Sequence, residues 1–203
     1  MSKLLQIFAK APELGKVKTR LAASVGQEAA LALHKYLVES SVQTAKKTTA
    51  DEVQLWTTSN SAMEYFAEFD CPVFLQQGHD LGERMQHALE VGLAKHQQVV
   101  LIGADAYSLS NHDIDQAFAA LLNHDMVFTP ALDGGYVLVG ASDVIGGVFD
   151  DVPWGTEQVF EVTQQKLAST THPVAVLNPR WDIDTLDDIE QFAPHLMEQI
   201  KRY

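Results

Sequence analysis

Lys10, Lys16, Lys18 and Arg20 fall within eleven residues of a chain that holds fourteen Lys and Arg in all. They follow an apolar run, Leu4-Leu5-Gln6-Ile7-Phe8, of the kind a buried strand requires. Pro12 and Gly15 break regular structure between them. A strand that leads through a cationic, glycine-containing loop into a helix presents ammonium and backbone N–H groups to phosphate. The same residues also suit a solvated basic turn, so the loop needs partners.

Four carboxylates are candidate partners. Asp105 comes two residues after the continuous apolar run Val99–Gly103, and ligands of open α/β sheets bind beyond the carboxyl ends of such strands. It could equally cap the turn that follows. Asp133 leads Asp133-Gly134-Gly135-Tyr136, where paired glycines let backbone approach a ligand or close a hairpin. Asp182 and Asp184 alternate in Trp181-Asp182-Ile183-Asp184-Thr185 and share one side if the chain is extended. Asp184 and Thr185 also suit a helix start. If Asp105 met one of this pair at ~4 Å, repulsion would be about 4 kcal/mol at an effective dielectric near 20. A divalent cation removes that cost. Few, hard oxygen ligands shared with phosphates describe Mg²⁺ or Mn²⁺ rather than zinc.

Arg84, in Asp80-Leu81-Gly82-Glu83-Arg84-Met85, could reach a phosphate or pair with Glu83. Trp154-Gly155-Thr156-Glu157 reads either as a substrate-facing loop or as a packed Trp before a helix. The eight histidines show no HExxH spacing and are read as structural. No GxSxG or GxxxxGK[ST] occurs, and no GxGxxG follows the first strand. Serine hydrolase, P-loop NTPase and dinucleotide oxidoreductase readings lose their main supports.

Strands that could position these groups are expected at Glu52–Thr57, Pro72–Gln76, Val99–Gly103, Met126–Pro130, Tyr136–Gly140 and Val174–Leu177. Helices are expected from Gln27 to about Lys47, over Ser61–Phe69 with Ser61 as cap, and, led into by Gly78–Met85, through about Lys95. Further helices should run from a cap at Asn111 to about Leu122, after Thr156 to Leu167, and from Thr185 to the end. The last has Asp188 in capping-box position. This alternation predicts a three-layer α/β/α sandwich with a mostly parallel sheet, made mixed by the Asp133–Gly135 turn.

The 203 residues suit one such domain spanning the whole chain. Residues 1–50 carry eight basic against three acidic side chains, so the remainder holds −18 of a net −13. No long basic face is left for a nucleic acid; one local cationic pocket for a small phosphorylated ligand fits better. Cys71 is the only cysteine, which excludes an internal disulfide. No apolar stretch is long enough to span a membrane, and the start lacks a signal-peptide pattern. A cytoplasmic location is expected.

Phe8-Ala9-Lys10-Ala11-Pro12 with Gly15, Val17-Lys18-Thr19-Arg20-Leu21, the 80–85 motif, Gly103 with Asp105, Asp133–Tyr136, Trp154–Thr156 and Asp182–Thr185 together resemble a bacterial family. Its members are proposed GT-A-type glycosyltransferases, related to nucleotide-diphospho-sugar transferases, and some are assigned to arsenosugar biosynthesis. The resemblance implies a GT-A fold in which Lys10, Lys16, Lys18 and Arg20 bind nucleotide phosphates; Arg84 joins them as a candidate on its own setting. Asp105 and Asp184 would hold the metal. Asp133, with Asp182 in reserve, would bind sugar or acceptor hydroxyls or take a proton. Gly134, Gly135, Trp154 and Thr156 would touch substrate. The expected partners are a nucleotide-diphosphate sugar, or alternatively an NTP, and a small-molecule acceptor. The chain departs from the family pattern at Ala106-Tyr107, where Cys-Pro is usual. A catalytically degenerate nucleotide-binding protein is the remaining reading. As a site residue, Asp105 should tolerate Asn within roughly 1 kcal/mol of stability.

Overall fold

The computed structural model describes residues 1–201. Seven strands form one sheet: β1 (Lys3–Ala9), β2 (Glu52–Thr57), β3 (Val73–Leu75), β4 (Gln98–Gly103), β5 (Met126–Pro130), β6 (Tyr136–Ala141) and β7 (Val174–Val176). Their order is β3-β2-β1-β4-β6-β5-β7. Only β6 runs antiparallel to its neighbours, paired with β4 on one side and β5 on the other. The hairpin through Asp133–Gly135 is what makes the mostly parallel sheet mixed.

The strand sequences dictate two buried faces, because successive side chains alternate. Leu5, Ile7, Val100 and Ile102 pack on one face with Val38, Val42, Ile114 and Phe118. Those last residues belong to helices α2 (Gln27–Ala45) and α5 (Asn111–Ala120). Leu4, Phe8, Val99 and Leu101 pack on the other face with Met85, Ala88 and Leu89 of α4 (Leu81–Leu93) and with Leu167 of α6 (Val159–Ala168). The result is the expected three-layer sandwich. A third apolar cluster joins Leu21, Leu33 and Leu37 to Ile183, Ile189 and Leu196, fastening the tail beside the first loop.

Several elements differ from expectation for identifiable reasons. A short helix α1 (Thr19–Val25) precedes α2, and Gly26, at φ 89°, separates the two. The 61–69 stretch is a 3-10 turn (Asn60–Ala62) capped by Ser59, followed by α3 (Met63–Ala67). Ser110, not Asn111, caps α5, in a reciprocal capping box with Asp113. The final helix is broken. It runs as α7 (Leu186–Phe192), capped by Thr185 with Asp188, then restarts after Pro194 and ends in α8 (Met197–Ile200). Proline cannot donate the bond that a continuing helix needs.

Asp113 also ties the fold to the tail. Its carboxylate accepts from the Arg180 guanidinium, and the Asp113 side chain is only 10% exposed. Burial alone would raise its pKa, but the bonds from Arg180 and Ser110 outweigh that and hold it below 3.8. A depressed carboxylate stabilises the fold above its unfolded pKa and loses that contribution as pH falls. Asp113→Ala should therefore cost about 3 kcal/mol near neutral pH, through the lost ion pair and cap. Urea denaturation should show the gap to wild type narrowing as pH drops toward about 3. A gap that does not change with pH would refute the charge assignment.

Candidate functional site

β1, β2 and β4 run parallel with their carboxyl ends together, and β1 has β2 on one side and β4 on the other. The chain therefore departs in opposite directions at β1, the position where open α/β sheets bind ligands. Phe8 is paired with Gly103, and Ala104 N–H donates to the Phe8 carbonyl at 2.9 Å. This register sets the loop after Phe8 beside Asp105. Gly103 leaves room for that carboxylate: a Cβ would stand 2.7 Å from Asp105 Oδ1 and push it aside.

The tail arrives at the same point. Ile183 is fully buried, and its N–H donates to the Asp105 carbonyl at 3.1 Å. With Ile183 turned inward, Asp182 and Asp184 on either side of it both face the cleft.

Lys18 links these segments. Its backbone is left-handed (φ 45°), rare for a residue with a side chain. Its ammonium lies 2.8 Å from Asp105 Oδ2 and 3.5 Å from Asp184 Oδ1. Burial would lower the Lys18 pKa, but Asp105 first, then Asp184 and Asp182, hold it above its ordinary value. Asp105 answers in kind: burial would raise its pKa, and Lys18 keeps it low. Its side chain lies deep yet is 44% exposed, because it opens on the cleft. Arg20 Nη1 adds a contact to Asp184 Oδ2 at 3.1 Å. Lys18 and Arg20 thus meet Asp105 and Asp184 at one rim of the sheet.

The cleft has two adjoining lobes. The inner lobe, about 470 Å³, is lined by Lys10, Lys18, Arg84, Asp105 and Asp182 among apolar side chains such as Phe8 and Met85. The outer lobe, about 810 Å³, is lined by Arg20, Asp133, Gly135, Trp154, Thr156 and Asp184, among others. Asp182 belongs to both. Burial first, then the charges of Asp105 and Asp133, raise its pKa to about 7.

Two expected residues stand elsewhere. Lys16 pairs with Glu13, is 75% exposed and is not among the residues lining either lobe. Gly134 lies against the Glu157 backbone, where a Cβ would come within 2.1 Å of the carbonyl oxygen. Its place is in packing rather than on the cleft wall. Asp133 does line the outer lobe, although its Oδ1 also accepts from Gly135 N–H at 3.0 Å, as a hairpin turn would have it. Arg84 combines a cleft position with a bond from Nε to the Gly78 carbonyl at 3.1 Å. Ala106 and Tyr107 line neither lobe. Ala106 is buried in the core, and Tyr107 packs among Tyr36, Trp181 and His195.

His34 is the main residue that sequence reasoning passed over. It lines the inner lobe, and its Nε2 lies 3.0 Å from the Lys10 carbonyl. Burial, partly offset by that backbone bond, lowers its pKa, so the neutral ring donates and fixes the loop. The signal available was its position four residues from Ala30 and Val38 on the buried side of α2.

Asp105 and Asp184 could hold a divalent cation. Among the described residues, no three His, Cys, Asp or Glu side chains gather closely enough to cage one. The donor set suits Mg²⁺ or Mn²⁺, which take one or two carboxylates and complete their shell from phosphate and water. No helix of the described residues is long and apolar enough to cross a membrane.

Comparison with known proteins agrees with this fold. The chain is similar to a protein from Desulfovibrio desulfuricans G20 that is itself proposed to be a nucleotide-diphospho-sugar transferase. The two are 28% identical, with a TM-score of 0.87 over 100% of this chain and 99% of that one. A 4-diphosphocytidyl-2C-methyl-D-erythritol synthase from Anaerococcus prevotii shares the fold at 13% identity and a TM-score of 0.63, covering 96% of each chain. So does Rv0371C of Mycobacterium tuberculosis H37Rv in complex with manganese, at 14% identity and a TM-score of 0.55, covering 96% of this chain and 99% of that one. No curated protein matches. The pattern of one bacterial family matches residues 41–156, from within α2 through β6 to Thr156. The chain belongs to that family, described as uncharacterized protein conserved in bacteria (DUF2064).

Proposed function

We propose that the chain transfers a glycosyl group from a nucleotide-diphosphate sugar to a hydroxyl of a small acceptor. The observation that carries this reading is the two-lobed cleft, cationic within and acidic outside, with Asp182 on the shared wall. The nucleotide occupies the inner lobe, where apolar walls suit a base and Lys10, Lys18 and Arg84 suit the phosphates. The acceptor occupies the outer lobe. Its oxygen attacks the anomeric carbon. The new carbon–oxygen bond forms as the bond from that carbon to the diphosphate oxygen breaks, its electron pair leaving with the diphosphate. The acceptor proton passes to Asp182, which stands in both lobes and is better placed than Asp133, whose Oδ1 is engaged by the hairpin turn. A Mg²⁺ or Mn²⁺ held by Asp105 and Asp184 would offset charge on the departing diphosphate.

Nucleotidyl transfer is the second reading, favoured by the fold shared with the 4-diphosphocytidyl-2C-methyl-D-erythritol synthase. There a phosphorylated molecule attacks the α-phosphate of an NTP and pyrophosphate leaves. The reading of a degenerate nucleotide-binding protein rests on Ala106-Tyr107, and those residues reach neither lobe.

A thermal-shift screen of nucleotide sugars and NTPs, with and without Mn²⁺, tests the proposal. Nucleotide-diphosphate sugars should stabilise the protein more with Mn²⁺ than without. Release of pyrophosphate from an NTP, with no turnover of any sugar donor, would favour nucleotidyl transfer instead. Asp105→Asn should abolish the metal-dependent part of the shift. It should also cost about 2 kcal/mol, above the roughly 1 expected of a bare site residue, because it leaves the buried Lys18 ammonium with one distant partner.

A further inference from the structure

The outer lobe differs sharply from the inner one in charge. Asp133, Glu157, Asp182 and Asp184 line it, against the single guanidinium of Arg20, which is already paired with Asp184. The inner lobe has Lys10, Lys18 and Arg84 against Asp105 and Asp182. The outer lobe is also a built cavity, large enough for a hexose, walled by Trp154 and Tyr136. The Trp154 Nε1 is buried and has no hydrogen-bond partner among the described residues.

We infer that the acceptor is a hydroxylated small molecule without an anionic group, neutral or amine-bearing. A phosphorylated or carboxylated acceptor would bring its charge against Asp133, Glu157 and a partly ionised Asp182, with no unpaired cation among the described residues lining that lobe. Specificity of this kind arises from repulsion of the wrong ligand as much as from attraction of the right one. A bound donor does not reverse the sign. A divalent cation at Asp105 and Asp184 cancels, at most, the two charges that a sugar-bearing diphosphate carries in with it. The inference rests on the transferase reading. It also separates that reading from nucleotidyl transfer onto a phosphorylated molecule, the second reading given above.

The test uses the full chain and three hexoses of similar size: glucosamine, glucose and glucose 6-phosphate. Binding is followed by the NMR shift of the Trp154 indole N–H at constant ionic strength. Glucosamine should bind tightest and glucose 6-phosphate at least about tenfold more weakly. In the double variant Asp133→Asn/Glu157→Gln that ratio should fall to about threefold or less. Glucose 6-phosphate binding as tightly as glucose, or no hexose moving the Trp154 signal, overturns the inference. Pyrophosphate with Mn²⁺, followed separately by calorimetry, reports on the inner lobe. Its failure to bind alongside an intact hexose ranking would remove the transferase reading while leaving the charge selectivity of the outer lobe in place.

Discussion

Replacing Lys18 by Met is expected to lower stability by about 2 kcal/mol, and Mn²⁺ is expected to recover more of that loss than it adds to wild type. The Lys18 side chain is 5% exposed, and its ammonium is held chiefly by Asp105 and Asp184. Removing one partner of a buried pair costs about 3–5 kcal/mol. The two carboxylates here are 44% and 38% exposed, and water screens part of that cost. Without the ammonium, Asp105 and Asp184 are left to repel one another. A divalent cation held by this pair would, in wild type, compete with Lys18 for the same carboxylates and so for its position. Chemical denaturation of both proteins with and without Mn²⁺ measures the difference. Equal metal effects on the two would show that Lys18 and the cation do not share a position. Lys16→Ala is the matched control. Its partner Glu13 is a surface neighbour, so the change should stay within about 0.5 kcal/mol and leave diphosphate binding intact.

The contrast between these lysines shows what the sequence could and could not disclose. Strand-to-loop-to-helix spacing marked the segment that carries the cations, although the same residues also suited a solvated basic turn until the carboxylates were found beside it. It could not rank them. Lys18 enters the cleft through a left-handed backbone that no residue type at that position announces, whereas Lys16, two residues earlier, faces solvent. Asp182 and Asp184 were legible for a better reason. Strand-like alternation about the apolar Ile183 fixes their direction once Ile183 is buried, and its burial follows from its being the only apolar residue between two aspartates. The sheet was readable because most strands are short, largely apolar runs between breakers, although β2 also carries Glu52, Gln54 and Thr57. Helix ends were less so: Ser59 and Ser110 took the caps expected at Ser61 and Asn111, since neighbouring polar residues compete for the same N–H groups. His34 stayed hidden because its role depends on the Lys10 carbonyl, a long-range partner.

Gly134→Ala is expected to lower stability by about 3 kcal/mol, from two sources that act together. The residue sits at φ 90°, where a side chain is strained, and its Cβ would stand 2.1 Å from the Glu157 carbonyl oxygen and 2.7 Å from the Glu157 Cα. Both neighbouring atoms are backbone and cannot rotate aside. The Phe160 N–H, in the first turn of α6, donates to the Gly134 carbonyl at 2.8 Å, so the hairpin and the helix start are one packed unit. Pushing them apart must move Glu157 and the Trp154–Thr156 loop, which together form much of the outer wall. Gly155→Ala separates the two sources. Its φ is 81°, but nothing lies within 4 Å of the added Cβ, so it carries backbone strain alone, about 1 kcal/mol. Urea denaturation of the two variants should give clearly different losses. In Gly134→Ala the hexose response at Trp154 should disappear while pyrophosphate with Mn²⁺ still binds, because the cations of the inner lobe, Lys10, Lys18 and Arg84, come from other segments. Equal losses in the two variants would mean that the hairpin can slide off Glu157 freely, and the outer wall would then not depend on that contact.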